Sequence, residues 1–444
     1  MADATLVRRR FRRLLVAVIG AASVASIVGA SQFHHVRRVN FMGDESGWIS
    51  SSGYYTQLIL VGDFSHESWE GASLGNWGSI NPPLGKLVLG ASVRLHPEYE
   101  PGDSEFRGIY RFSQPFEWNA SRGNVPLEGT VIRAREVTAL YFTASLVLLY
   151  FAVLRYTNLM SALAAVLIVL TNSWIVNETI PVLTDPYYFC LMFALFGLGG
   201  WMVESRTMRS KLLSFGLAGL IGGSACLIKI NGLPFGCAFA GTLVAYKWAV
   251  RRPIEIRSDL TGLTVFVVCA LVVVYALNPY FWPTESWRSV LEFPRLYTRW
   301  PELFALQREQ MPWPESGRTI EILRVLLGEF TVHPIELALF GAGLAYLVFG
   351  LWRSLARKHV DVKLVPLFFF LTHFGFLVAL MPVNYRRYYL LAVISAKVIE
   401  AIGFTYAMLI GWSLTWRFAR AVIRRIRSRN ATQTQTRPHE QING

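Results

Sequence analysis

The chain has 444 residues, 53% hydrophobic and 16% charged, with a formal net charge of +14 at pH 7 and a mean hydropathy of +0.37. Soluble domains carry about a quarter charged residues, and here the apolar residues are bunched into long runs, so an ordinary soluble domain is excluded and a polytopic membrane protein indicated. The basic residues lie between and after those runs in the positive-inside pattern, which argues against nucleic acid as a partner.

Crossing a bilayer takes about 20 apolar residues. On that measure an all-α polytopic fold is predicted, with ten transmembrane helices, or eleven if two are merged. The spans fall near 14–31, 136–154, 160–176, 186–203, 212–228, 233–250, 261–277, 333–352, 364–381 and 388–412. Residues 1–13 form a basic cytoplasmic N-terminus, 14–415 the membrane domain, and 416–444 a basic and then polar cytoplasmic tail expected to be disordered. Arg8, Arg9, Arg10, Arg12 and Arg13 hold the N-terminus inside. The first apolar run has two readings, a membrane span or a cleaved signal sequence, and both deliver the chain to the same side. Two long connections, 32–135 and 278–332, then lie on the outer face. Cys190, Cys226, Cys237 and Cys269 sit within apolar runs and show neither a disulfide framework nor a zinc spacing.

In the first outer connection, "NFMGDESGW" places Asp44 and Glu45 about a dozen residues after the first span. They read either as solvated loop charges or as acids held at the interface, where a partly dry carboxylate can act as general base toward a hydroxyl. Gly43 and Gly47 permit a tight backbone there. Further on, "NPPLGK" (Asn81–Lys86) makes a rigid bend and opens an apolar helix too short to span. "IPVLTDPYYF" puts Asp185 beside Pro186 at the start of a span, as an N-cap, as a carboxylate aimed at the outer face, or as both. Arg133, Arg135, Lys229, Arg386 and Arg387 are cations on the outer side, where charge bias makes them less expected. They suit either headgroups or a bound phosphate. P-loop, dinucleotide-binding and HExxH motifs are absent from the sequence, as is GxSxG. An outward-facing enzyme of this kind needs a donor activated in some other way, and a lipid-linked phosphosugar meets that need. A transporter or flippase of an anionic lipid-linked substrate is the rival reading, although transporters tend to place ionisable groups near mid-span.

The succession of "GDESGW", "NPPLGK", "RAREVTALYF", "LTDPYYFCLMF", "LIKINGLPF", "NPYFWP" and "NYRRYYLLAV" over residues 38–395 resembles the C-type (GT-C) glycosyltransferases. It is most similar to protein O-mannosyltransferases and the aminoarabinose transferases that modify lipid A. Asn81 stands where that family carries histidine.

The resemblance implies inverting transfer of a sugar from a polyprenyl-phosphate donor to a protein, lipid or glycan acceptor, at the extracytoplasmic face of a plasma (inner) membrane. It casts Asp44, Glu45 and Asp185 as catalytic residues, with Asp44 the general base. Lys86, Arg135, Lys229 and Arg387 become donor-phosphate ligands, and Asn81 and Tyr388 substrate contacts. Asp44 and Asp185 are also the candidates to hold a divalent Mg or Mn ion, which part of the family does without.

Overall fold

The computed structural model describes residues 2–65, 68–69, 83–104, 108–251, 256–279, 317–331, 334–380 and 386–435. Among them the regular structure is helical, without a strand. The helices are α1 (Ala2–Val36), α2 (Gly43–Val61), α3 (Pro83–Arg94), α4 (Phe116–Ser121), α5 (Glu128–Tyr156), α6 (Leu159–Thr171), α7 (Ser173–Thr179) and α8 (Asp185–Glu204). They continue with α9 (Met208–Cys226), α10 (Gly232–Arg251), α11 (Ile256–Ala276), α12 (Arg318–Thr331), α13 (Pro334–Arg357), α14 (Val365–Leu380) and α15 (Leu390–Gln435). Most of the second outer connection, 278–332, lies outside the described residues.

Among the described residues eight helices are long and apolar enough to cross a membrane, or nine if the bent pair α6 and α7 counts as one span. The chain is a multi-pass membrane protein. Each of the ten predicted spans falls on a helix or, at 160–176, on that bent pair. The shortfall is α9, where Arg209, Lys211 and a run of glycines dilute the apolar character. Those glycines have a packing purpose. A Cβ on Gly219 would lie 2.2 Å from the Phe266 carbonyl oxygen, and one on Gly223 2.5 Å from that of Ala270. The backbones of α9 and α11 therefore touch along a G-x-x-x-G face, the contact that lets helices associate where burial from water offers no gain.

The span predicted at 160–176 is broken. Asn172 ends α6, and its side-chain oxygen accepts from the Ile175 backbone N–H at 3.0 Å, which starts α7 afresh. The two pieces meet at 73°. α15 continues as helix through its Arg-rich part to Gln435, a composition that favours helix, and the rest of the predicted tail, 436–444, lies outside the described residues.

One large buried cluster runs through the bundle. α5 packs between α1 and α8, α9 against α11, and α13 against α15, with Phe196, Phe235, Phe239 and Phe369 joining α8, α10 and α14. At one end of the bundle Asp259 accepts from Lys211 at 2.8 Å and Lys247 at 2.7 Å, which ties α9, α10 and α11 together. The starts of α2, α5, α8 and α15 and the end of α9 lie at the other end.

That second end is braced by the turn Pro101–Ser104, where Asp103 accepts from Arg133 Nε and Nη2 at 2.7 Å and from Thr130 Oγ1 at 2.6 Å. Burial alone would raise the Asp103 carboxyl, but these donors and the Glu100 N–H outweigh it and hold it below the usual carboxylate range. A depressed folded value gives stability above the unfolded value of about pH 4 and loses it as pH falls through the folded one. Asp103→Asn is expected to cost about 3 kcal/mol at pH 7 and to flatten the acid limb of a detergent-solubilised thermal-unfolding profile.

Candidate active site

"GDESGW" is the first turn of α2 rather than a tight loop. Gly43 is required by packing, because a Cβ there would sit 2.7 Å from the Tyr110 ring and 2.8 Å from that of Phe112. Glu45 is fully buried and accepts four hydrogen bonds. Its Oε1 takes Arg135 Nε at 2.7 Å and the Val182 N–H at 2.9 Å. Its Oε2 takes Arg135 Nη2 at 2.6 Å and the Met42 N–H at 2.9 Å, closing a capping box on α2. The remaining Arg135 donors go to the Val36, Val39 and Asn40 carbonyls at 3.1, 2.7 and 3.0 Å, so all five guanidinium N–H groups are used. This pair joins the end of α1, the start of α2, α5 and the α7–α8 connection.

Asp44 faces elsewhere. Its Oδ2 lies 3.3 Å from Arg387 Nη1, and its side chain keeps 26% exposure. Arg387 also reaches Glu178 Oε2 at 3.1 Å and Met42 Sδ at 2.8 Å. Asp185, at the first turn of α8, does not cap its helix, since Thr184 occupies the N-cap position and no side-chain capping bond forms. Instead Asp185 Oδ1 accepts from Lys229 Nζ at 2.5 Å. Lys229 stands in the break between α9 and α10, with its amine 5.9 Å over the Tyr188 ring. Asp185, Lys229, Arg387 and Tyr388 line one small cavity, partly open to solvent, together with Asn231, Phe235 and His373.

The family model for dolichyl-phosphate-mannose-protein mannosyltransferases matches residues 78–282, just under half of the chain. Among solved structures, ArnT from Cupriavidus metallidurans bound to undecaprenyl phosphate superimposes with a TM-score of 0.51 at 16% identity, covering 90% of this chain and 63% of that one. ArnT from the same organism in the apo state gives 0.50 at 15% identity, over 90% and 62%. This chain has the C-type glycosyltransferase fold. It spans under two thirds of the length of those ArnT chains, and no curated protein matches it.

Within the GT-C fold the expected site residues separate into groups. Asp185, Lys229, Arg387 and Tyr388 meet at the cavity, and Asp44 joins them through Arg387. Glu45 and Arg135 are consumed by each other and by backbone, so neither faces the cavity as a reacting acid or a phosphate ligand. Lys86 is fully buried in α3 with its amine 4.9 Å from the Tyr55 ring and 5.9 Å from that of Trp48, and burial pushes that amine down to about 7. It is not among the cavity's lining residues. Its neighbour Gly85 instead brings α3 against Thr184 and Ile228, where a Cβ would come within 3.1 and 3.5 Å. Asn81 lies outside the described residues.

Sequence reasoning missed Glu178, Asn231 and His373 as site residues. Glu178 carried a signal, seven residues before Asp185 in the same predicted outer connection; the other two carried none. A divalent ion fits poorly at Asp44 and Asp185, because each carboxylate already faces a side-chain cation. Among the described residues no group of three His, Cys, Asp or Glu side chains gathers as metal ligands.

Arg135→Ala is expected to leave Glu45 buried without its counter-charge and to destabilise the protein by about 3–5 kcal/mol. A drop in the detergent-solubilised unfolding midpoint, with poor membrane yield, would show it. A phosphate ligand of the open cavity would instead lose donor affinity at unchanged stability.

Proposed function

We propose that this protein is an inverting glycosyltransferase that moves a sugar from a polyprenyl-phosphate donor to a hydroxyl of a protein, lipid or glycan acceptor. The observation that carries this reading is the meeting of Asp185, Lys229 and Arg387 at one cavity, with Asp44 held at its edge by Arg387. The mannosyltransferase family match over 78–282 and the undecaprenyl phosphate bound by the ArnT neighbour support the donor class. The cavity's charged residues begin or end their helices, unlike the mid-span sites of many transporters.

In the proposed reaction Asp44 takes the proton of the acceptor hydroxyl. The acceptor oxygen bonds to the anomeric carbon from the face opposite the phosphate, the carbon–oxygen bond to phosphate breaks, and polyprenyl phosphate leaves with the electron pair. Lys229 and Arg387 stabilise the charge that grows on it. A phosphate leaves without a proton, so the second, protonated carboxyl that glycosidases use is not needed. Asp185 orients Lys229 from the side of α8. Glu45 and Arg135 are assigned to positioning, since their atoms do not reach the reacting groups.

Charge supports an extracytoplasmic reading of the site. Arg155, Glu204, Arg206, Arg209 and Lys211 gather where α5 and α8 end and α9 begins, which the positive-inside rule places in the cytoplasm. The cavity then opens at the extracytoplasmic face of the plasma (inner) membrane.

Asp44→Asn is expected to lower transfer from a polyprenyl-phosphate sugar by about 10²–10⁴-fold, with expression and thermal stability unchanged. Near-normal turnover would remove the general-base assignment. A chelator titration is expected to leave turnover unaltered, because the proposed chemistry has no step through a metal; a loss restored by added Mg²⁺ or Mn²⁺ would reverse that.

A further inference from the structure

The cavity contains two polar atoms that the proposed chemistry does not use. His373, in α14, is 6% exposed, and Asn231 stands two residues after Lys229. Both line the cavity. Among the described residues neither His373 Nε2 nor Asn231 Oδ1 has a hydrogen-bond partner, and both atoms are buried. Buried polar atoms in folded proteins are nearly always satisfied by protein, water or ligand, so two orphans in one cavity require a common explanation.

Their chemistry is restrictive. His373 Nδ1 lies 2.9 Å from the Phe369 carbonyl oxygen. A carbonyl can only accept, so Nδ1 carries the proton and Nε2 presents a lone pair. The ring cannot swing to find another donor. It stacks on Phe235 with centroids 3.8 Å apart and meets Phe369 edge-on at 4.5 Å. Asn231 Oδ1 is likewise an acceptor. A phosphate or carboxylate would set lone pair against lone pair at His373 Nε2, whose ring cannot turn over as an amide can. A ligand carrying several O–H donors on an apolar carbon ring satisfies them, and Phe235, Phe376 and Leu391 supply the apolar wall for its C–H faces.

We propose that Asn231 and His373 form the sugar-recognition end of the cavity, accepting hydrogen bonds from ring hydroxyls of the donor sugar while Lys229 and Arg387 hold its phosphate. This rests on the glycosyltransferase reading above and deepens it by dividing the cavity into an anion end and a hydroxyl end. The charged pairs belong to α2, α7, α8, the α9–α10 break and the turn Arg386–Tyr389, whereas the two orphan acceptors stand just before α10 and in α14. Specificity follows from the same division. A site built to satisfy hydroxyls rejects an analogue lacking one, because its own buried polar atoms are left unpaired.

The test uses the full-length protein in nanodiscs. Binding is measured for undecaprenyl phosphate and for its mannosyl, glucosyl and 4-aminoarabinosyl derivatives. Wild type is expected to bind at least one sugar-bearing lipid about tenfold more tightly than the bare lipid phosphate. His373→Phe keeps the ring stack, and Asn231→Leu keeps the bulk. Each should reduce that preference to within about twofold of unity and leave undecaprenyl phosphate binding unchanged. A deoxy-sugar lipid lacking the contacted hydroxyl should bind wild type and variant alike. Survival of the sugar preference in both variants overturns the proposal, and so does a parallel loss of both lipids, which would mean a structural role. Wild type that binds the bare lipid with no gain from any sugar overturns this proposal alone. Wild type that binds none of the lipids overturns the donor assignment beneath it as well.

Discussion

The arrangement of the site depends on one buried ion pair, Glu45 with Arg135. Two ions taken out of water cost several kcal/mol each, and their attraction repays this only where the remaining donors and acceptors are satisfied. Here they are. Glu45 accepts four hydrogen bonds and Arg135 donates five, one of them to the last carbonyl of α1 and two to carbonyls of the short link between α1 and α2. A single guanidinium thus fixes where α2 begins. Successive residues on a helix point about 100° apart, so a Glu45 turned into the core obliges Asp44 to turn away from it. The adjacent carboxylates are therefore unlike in their work: one is structural, and the other remains partly exposed beside Arg387.

The cavity is then built by interruptions. α6 and α7 break at Asn172, which carries Glu178 to Arg387. The break between α9 and α10 presents Lys229, and the turn Arg386–Tyr389 ahead of α15 presents Arg387 and Tyr388. α3 is drawn against this region through Gly85, and the Leu84 N–H donates to the Leu227 carbonyl at 3.0 Å. Charged groups are costly in the middle of a bilayer and cheap where spans end. A site for an anionic lipid headgroup therefore belongs where several helix ends meet at one surface, at the depth of that headgroup.

The membrane architecture was legible because span length is imposed by the bilayer and written as apolar runs. Arginine placement carried the reading of sidedness, and the order of short motifs carried the resemblance to C-type glycosyltransferases. α2 was less legible. Its Ser46, Ser50, Ser51 and Ser52 are buried and bonded to the 108–110 strand of loop or to their own helix, a pattern that reads in sequence as a polar loop. Partner choice was not legible at all. Arg133, Arg135, Lys86, Lys229 and Arg387 look alike as outer cations, yet two are locked in structural pairs, one is enclosed by aromatic rings, and two reach the cavity. His373 and Asn231 gave no signal because a single polar residue in an apolar helix or turn becomes informative when its neighbours in space leave it unsatisfied.

The charge balance of the cavity constrains how a donor can enter it. Among the described residues Asp44, Glu178 and Asp185 face Lys229 and Arg387, three carboxylates against two cations, so these groups together carry no excess positive charge to attract a phosphate from a distance. On the proposed reaction, a lipid phosphate would reach the site through its chain in the membrane rather than by electrostatic steering through water. Once there it must share or take a cation that a carboxylate now holds. In the proposed reaction that exchange joins two requirements. The phosphate gains Arg387 as its counter-charge, and the same movement frees Asp44 to meet the acceptor hydroxyl. Until donor is bound, the base stays engaged in its ion pair, which restrains it from reacting with water or with an acceptor that arrives alone.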